Sequence, residues 1–166
     1  MTFDGSTTYY RKARDEKAYL ISEIYQVASG ATQNIHLKNP DGSGRRYWVM
    51  EGSVTSDGPY IAQFHDGFSS APTGGNALEI QNVLLDSDNT DIDGSADANN
   101  SVTYTSNSTH AVGVGGGGSG GQSLGFPTQH PPIVMEENRE VVLEIENTGT
   151  EQNYYALTIV YYETSM

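Results

Sequence analysis

The sequence contains no cysteine. Disulfides, thiolate metal sites and a cysteine nucleophile are therefore excluded, and stability has to come from packing or assembly. Nor does it hold the roughly 18 consecutive apolar residues that a membrane-crossing helix needs. The opening MTFDGSTTYYRKARDEK has no apolar h-region and does not read as a secretory signal. Basic residues are scarce: three Lys and five Arg stand against 21 acidic residues, for a formal net charge of −13. Seven of the eight (Arg11, Lys12, Arg14, Lys17, Lys38, Arg45, Arg46) fall within residues 1–46, which carry +2; residues 47–166 hold only Arg139 and carry −15. Phosphate binding needs clustered cations, so nucleic acid is not an expected partner. A carboxylate excess of this kind resembles the surfaces of halophilic proteins, where molar salt cuts self-repulsion to a range of about 3 Å. The reading is a high-salt environment; an ordinary acidic mesophilic domain is the alternative.

What is present is enough for one core. At 166 residues, with 36% hydrophobic residues, a single domain is expected, burying about 68–70% of the surface of its unfolded chain. Residues 1–17 read as a basic arm or short helix, with Thr7 or Thr8 as N-cap and Lys12 and Glu16 four apart. Residues 18–166 read as short strands separated by turn chemistry. Strands are expected over 18–27, 32–38, 46–54, 59–65, 76–85, 101–106, 110–114, 139–147 and 154–163. REVVLEIEN (139–147) alternates cleanly; YYALTIVYYE (154–163) is apolar on both faces, as a buried central strand would be. Parallel topology needs crossovers that this chain lacks, so the expected fold is all-β, an antiparallel sandwich, with a jelly roll suiting the strand count and an immunoglobulin-like order as the competitor. The acidic stretch 86–101 and the glycine-rich stretch 113–125 read as exposed loops.

Several motifs carry chemistry by their letters. In NTDIDGSADANN (89–100), Asn89, Asp91, Asp93, Ser95 and Asp97 alternate around Gly94 as the oxygen donors of a calcium loop do. Asn100 replaces the usual closing Glu, and no helices flank the segment, so a solvated acidic loop is the competing reading. GVGGGG (113–118) and GGSGG around Ser119 match phosphate-loop and nucleophile-elbow strings but lack the strand-turn-helix setting that gives them function. His36, His65, His110 and His130 show no ligand spacing, and His65 and Asp66, as neighbours on a strand, face opposite ways. Asn99 and Asn107 begin N-x-S/T sequons. No catalytic constellation emerges.

Two runs carry a resemblance. YQVASGATQNIHLKNPDGSGRRYWVMEGSV, with its N-P-x-G-S-G turn, and REVVLEIENTGTEQNYYALTIVYYE, with its closing E-N-T strand pair, resemble the small single-domain β-sandwich structural proteins of viruses. Together with the acidity, the likeness is to virion proteins of haloarchaeal viruses: capsid, decoration, turret or tail-associated components. It implies a coat or appendage role in the virion, a homo-oligomer (a trimer or pentamer suits that role), contact with other virion proteins or a host receptor, no cofactor and no catalysis. Tyr154, Tyr155, Tyr161 and Tyr162 are the expected interface aromatics, and Arg45 and Arg46 the expected intersubunit salt contacts. The alternative is a calcium-dependent carbohydrate- or receptor-binding module with Trp48 or Tyr60 as an aromatic platform.

Overall fold

Alternation of apolar and polar residues decides the strands that carry the fold. In a computed structural model describing residue 11 and residues 17–83, 94–98, 101–104, 109–115 and 133–166, the chain forms β1 (Ala18–Val27), β2 (Thr32–Asn39), β3 (Arg45–Ser56), β4 (Tyr60–His65), β5 (Phe68–Thr73), β6 (Asn76–Leu78), β7 (Gln81–Asn82), β8 (Ser95–Ala98), β9 (Ser101–Tyr104), β10 (Thr109–Gly115), β11 (Ile133–Met135), β12 (Arg139–Asn147) and β13 (Asn153–Ser165). All the pairings among them are antiparallel. One sheet runs β11-β3-β13-β1-β7, a second β10-β4-β12-β2-β8-β6, and β5 pairs with β9 apart from both.

The two large sheets share one core. Ile21, Tyr155, Leu157 and Ile159 of the first face Ile35, Leu37, Phe64, Leu143 and Ile145 of the second in a single buried cluster. In β12 the odd residues Val141, Leu143 and Ile145 point inward, as their alternation requires. The β3 strand breaks alternation for a physical reason. Val160 of β13 lies opposite Glu51 and Tyr161 opposite Val49, so Met50 is an extra residue in a bulge. Inward positions switch there from Tyr47 and Val49 to Val54 and Ser56.

Both turn motifs noted in the sequence close on a buried asparagine. Asn39 Nδ2 donates to the carbonyls of Arg45 (2.9 Å) and Met135 (3.2 Å), and its Oδ1 accepts from Ser43 Oγ (2.8 Å). Asn147 Nδ2 donates to the carbonyls of Val27 (2.9 Å) and Glu151 (2.8 Å), and its Oδ1 accepts from the Gly149 amide (2.8 Å). Each amide thus fixes a turn to a strand of the first sheet.

Three expectations change. The single strand expected over 76–85 is two: β6 edges the second sheet and β7 the first. The stretch 86–101, read as an exposed loop, contains β8, whose Ala96 and Ala98 are buried. β13 lies at the centre of its sheet, but its even face is not covered along its whole length: Tyr154 is exposed and Ala156, Thr158 and Val160 are half-buried. The arm or short helix expected over 1–17 falls almost entirely outside the described residues.

Candidate functional site

Of the candidate calcium ligands, Asn89, Asp91 and Asp93 lie outside the described residues. Ser95 and Asp97 are alternate residues of β8, opposite Lys38 and His36 of β2, so both side chains project from the outer face of the sheet. Gly94, read as the sharp-turn glycine of an ion loop, does not have a left-handed backbone. Space explains it: a Cβ there would stand 2.8 Å from Tyr47 Oη and 3.4 Å from Tyr161 Oη. Those two rings and Tyr19 form a buried cluster of mutually tilted rings, with the Tyr161 centroid 5.0 Å from Tyr47 and 5.2 Å from Tyr19. Among the described residues no group of three or more His, Asp or Glu is placed to hold a metal ion.

The titratable cluster lies on the outer face of the second sheet. Its register sets Asp97 of β8, His36 of β2, Val142 of β12 and His65 of β4 in one row across four strands. His36 is buried; its Nε2 lies 3.2 Å from Glu140 Oε2 and its Nδ1 3.7 Å from Asp97 Oδ2. Lys38 Nζ meets the other Glu140 oxygen at 3.2 Å. His65 Nε2 lies 4.0 Å from Glu144 Oε1. Burial holds the His36 imidazole below its ordinary value near 6.5, against the upward pull of Glu140 and Asp97. A neutral imidazole donates through one nitrogen only, so Glu140, at hydrogen-bond distance, is the partner, and Asp97 supplies field. The arrangement ties three strands together through side chains. Sequence reasoning singled out Asp97 for an ion and missed His36, because their contact depends on the pairing of β2 with β8, which no local pattern reveals.

The outer face of the first sheet has a different chemistry. At one end, Trp48 stacks on Tyr162 (5.9 Å, 9° between planes), donates from Nε1 to Thr164 Oγ1 (3.0 Å) and lies 6.0 Å beneath the Arg46 guanidinium. Arg46 also holds Glu136 of its own chain at 2.7 Å. Arg45 Nη1 donates to Ser165 Oγ (3.3 Å). Both arginines expected to reach a neighbouring subunit are therefore engaged within the chain. Toward the other end the face is apolar and hydroxylic. The β1 residues Leu20, Ser22 and Ile24 lie beside Val160, Thr158 and Ala156 of β13, which in turn lie beside Glu51, Ser53 and Thr55 of β3. Ser22 and Thr158 hydroxyls pair at 3.0 Å. Ile24 is 66% exposed and Tyr154 55% at this end; Val134, 44% exposed, projects from the same face at the opposite end, beside Trp48.

The expected aromatic interface resolves accordingly. Tyr155 and Tyr161 face the core and Tyr162 is covered by the Trp48 stack, leaving Tyr154 exposed. Tyr60 is buried, edge-on to Tyr155 at 6.0 Å, and cannot serve as a glycan platform. Gly115, at the start of the glycine-rich stretch, lies against the Tyr60 ring so closely that a Cβ would overlap it. Asn99, Asn107, Ser119 and His130 lie outside the described residues. The chain matches no family model, no curated protein and no solved structure.

Proposed function

We propose that the chain is a non-enzymatic structural protein that assembles with copies of itself, and that its sandwich is a jelly roll. The observation that carries this reading is the outer face of β1, β13 and β3: in a chain of net charge −13, Ile24 and Tyr154 stay exposed next to each other on a face whose central rows carry Glu51 as their acidic side chain. Exposed apolar residues gathered on one surface mark an interaction site more often than scattered ones do. Two copies with so much like charge repel least where carboxylates are sparse.

Strand order supports the jelly roll. β1 and β3 both flank β13, β2 and β4 both flank β12, and β11 and β10 lie outside β3 and β4; this is the nested order of two Greek keys wrapped into facing sheets. Jelly rolls are used in viral capsids and in lectins, so fold analogy alone does not choose between them. The acidic exterior and the likeness of the two turn-bearing runs to haloarchaeal virion proteins favour a virion component working in high salt. The test is mass in solution by light scattering at low and at molar salt. An oligomer in molar salt is the expected result, and a monomer in both conditions overturns the reading. Peptides of this chain in mass spectra of purified haloarchaeal virus particles would test the location.

A further inference from the structure

The two edges of the first sheet are guarded unequally. β1 pairs with β13 along its whole length, Ala18 opposite Tyr162 through Val27 opposite Asn153. On its other side β7 covers Tyr19 and Leu20 alone. Among the described residues no strand pairs with residues 21–27 on that side. The bond from the Val83 amide to the Ala18 carbonyl (3.0 Å) shows that even-numbered residues of β1 turn their backbone groups toward this edge. Among the described residues, Ser22, Ile24 and Gln26 therefore present three sets of N–H and C=O groups that no strand claims, and their side chains are exposed as well.

Natural edge strands discourage pairing with proline, lysine, bulges or brevity. The stretch ISEIYQV (21–27) has none of these; its one charge, Glu23, is half-buried on the parity that faces the core, opposite Leu157. We propose that this open half of β1 is a two-fold pairing edge for a second copy of the same chain, joining the two five-stranded sheets into one continuous sheet. The inference rests on the self-assembly reading above and names the surface it uses.

The register follows from the backbone geometry of β1. An antiparallel pair about a two-fold axis centres on one residue, in a hydrogen-bonded pair if that residue is even-numbered and in a non-hydrogen-bonded pair if it is odd. Of the odd centres, Glu23 would set two carboxylates face to face and Gln26 against Leu20, which already pairs with Gln81, and Tyr25 would leave Ser22 facing a residue beyond the end of β1. Centring on Ser22 would set Leu20 against Ile24 of the partner subunit, but Leu20 already pairs with Gln81. Centring on Gln26 runs past the end of β1 at Val27. Ile24 remains. It then meets its own symmetry mate, Ser22 meets Gln26, and Ile21 meets Val27. Glu23 falls opposite Tyr25, so the two Glu23 carboxylates do not face each other. Ser22 with Gln26 sets polar against polar, Ile24 with its mate and Ile21 with Val27 set apolar against apolar, and all three edge-facing residues find partners; a partner of unrelated sequence would gain nothing from that symmetry. The contact is a dimer, and larger assemblies built on it are even-numbered, in contrast to the trimer or pentamer that the resemblance suggests.

Because the chain has no cysteine, single-cysteine variants of the full chain give a clean test. In the proposed register Ile24→Cys places two Cα atoms about 5.5 Å apart, inside the disulfide range of about 4.4–6.8 Å. Mild oxidation at micromolar concentration in molar salt is expected to yield covalent dimer. Ser22→Cys, equally exposed, lies about 13 Å along the strand from its mate and is expected to stay uncrosslinked. A second variant tests the backbone. Ile24→Pro removes an N–H that faces the edge and not β13, a position where edge strands tolerate proline. It is expected to keep the wild-type circular dichroism spectrum and to weaken the dimer by about a hundredfold, as the central pair of ladder bonds is lost. Equal crosslinking of both cysteine variants, or none in a sample that light scattering shows to be oligomeric, overturns this edge while leaving self-assembly standing. A monomer at every salt concentration overturns both.

Discussion

The side-chain amide of Asn147, at the end of β12, donates to the carbonyl of Val27, the last residue of β1, across 2.9 Å. Its remaining polar atoms bind Glu151 and Gly149, and its backbone exchanges bonds with Gly30 and Ala31. One residue therefore fixes the turn after β1 and the turn after β12 to each other. Asn147→Ala leaves the buried Val27 carbonyl without its donor, at about 1–3 kcal/mol for a buried group left unsatisfied, and also removes the bonds to the part-buried Glu151 carbonyl and the Gly149 amide. A total loss of about 3 kcal/mol is expected, read as a lower urea midpoint with unchanged slope. Asn39→Ala, at the corresponding turn, is expected to lose a similar amount.

Gly94 is expected to tolerate no side chain, whatever happens to calcium. Gly94→Ala drives a Cβ to 2.8 Å from Tyr47 Oη, an overpacking that typically costs about 1–3 kcal/mol. Tyr47→Phe removes the obstructing oxygen, so the double variant should recover part of the loss. The double-mutant cycle then gives a favourable coupling. Two additive losses would show that the glycine serves something other than this contact.

Acid should weaken the fold through His36 before the carboxylates titrate. Its imidazole is held below the ordinary value near 6.5 by burial, so as pH falls past that value the unfolded chain takes up the proton first. The stabilisation is complete above pH about 6.5 and is lost as pH drops through the folded-state value. Urea midpoints measured from pH 8 to pH 5 should fall for the wild type and fall less for His36→Gln. A His36→Gln profile parallel to that of the wild type would place the acid sensitivity elsewhere.

Salt should stabilise this protein more than it does a near-neutral one. With 21 acidic side chains against eight basic ones, self-repulsion opposes the compact state, and the screening length shrinks from about 10 Å at 0.1 M to about 3 Å at 1 M salt. The melting temperature is expected to climb from 0.1 to 2 M KCl. Most of that rise should come below 1 M, which separates screening from the steadier effect of excluded salts.

β1 and β13 are legible from their β-branched and aromatic content. Where one face of a strand is buried and the other wet, the sequence announces it, and β12 is legible from alternation alone. β3 is not, because the extra residue at Met50 changes which parity faces the core. β8 is hidden for a different reason: its residues SADA are small and polar, and only the neighbouring β2 makes Ala96 and Ala98 core positions. The same dependence on register conceals the His36 cluster, whose members come from β2, β8 and β12 and are far apart along the chain. The two-sided apolar character of β13 is visible in its letters, but its cause is split: the core accounts for one face, and an uncovered surface for most of the other.

The seven residues 76–82 are bonded into both layers, through Asn76, Ala77 and Leu78 to β8 and through Gln81 and Asn82 to β1. Such a strap behaves mechanically as a shear pin. The layers cannot slide past one another until one of its ends detaches, and the end on β1, with its two rungs, is the weaker. A load across the sandwich should therefore be felt first beside Leu20, next to the stretch of β1 that is left open.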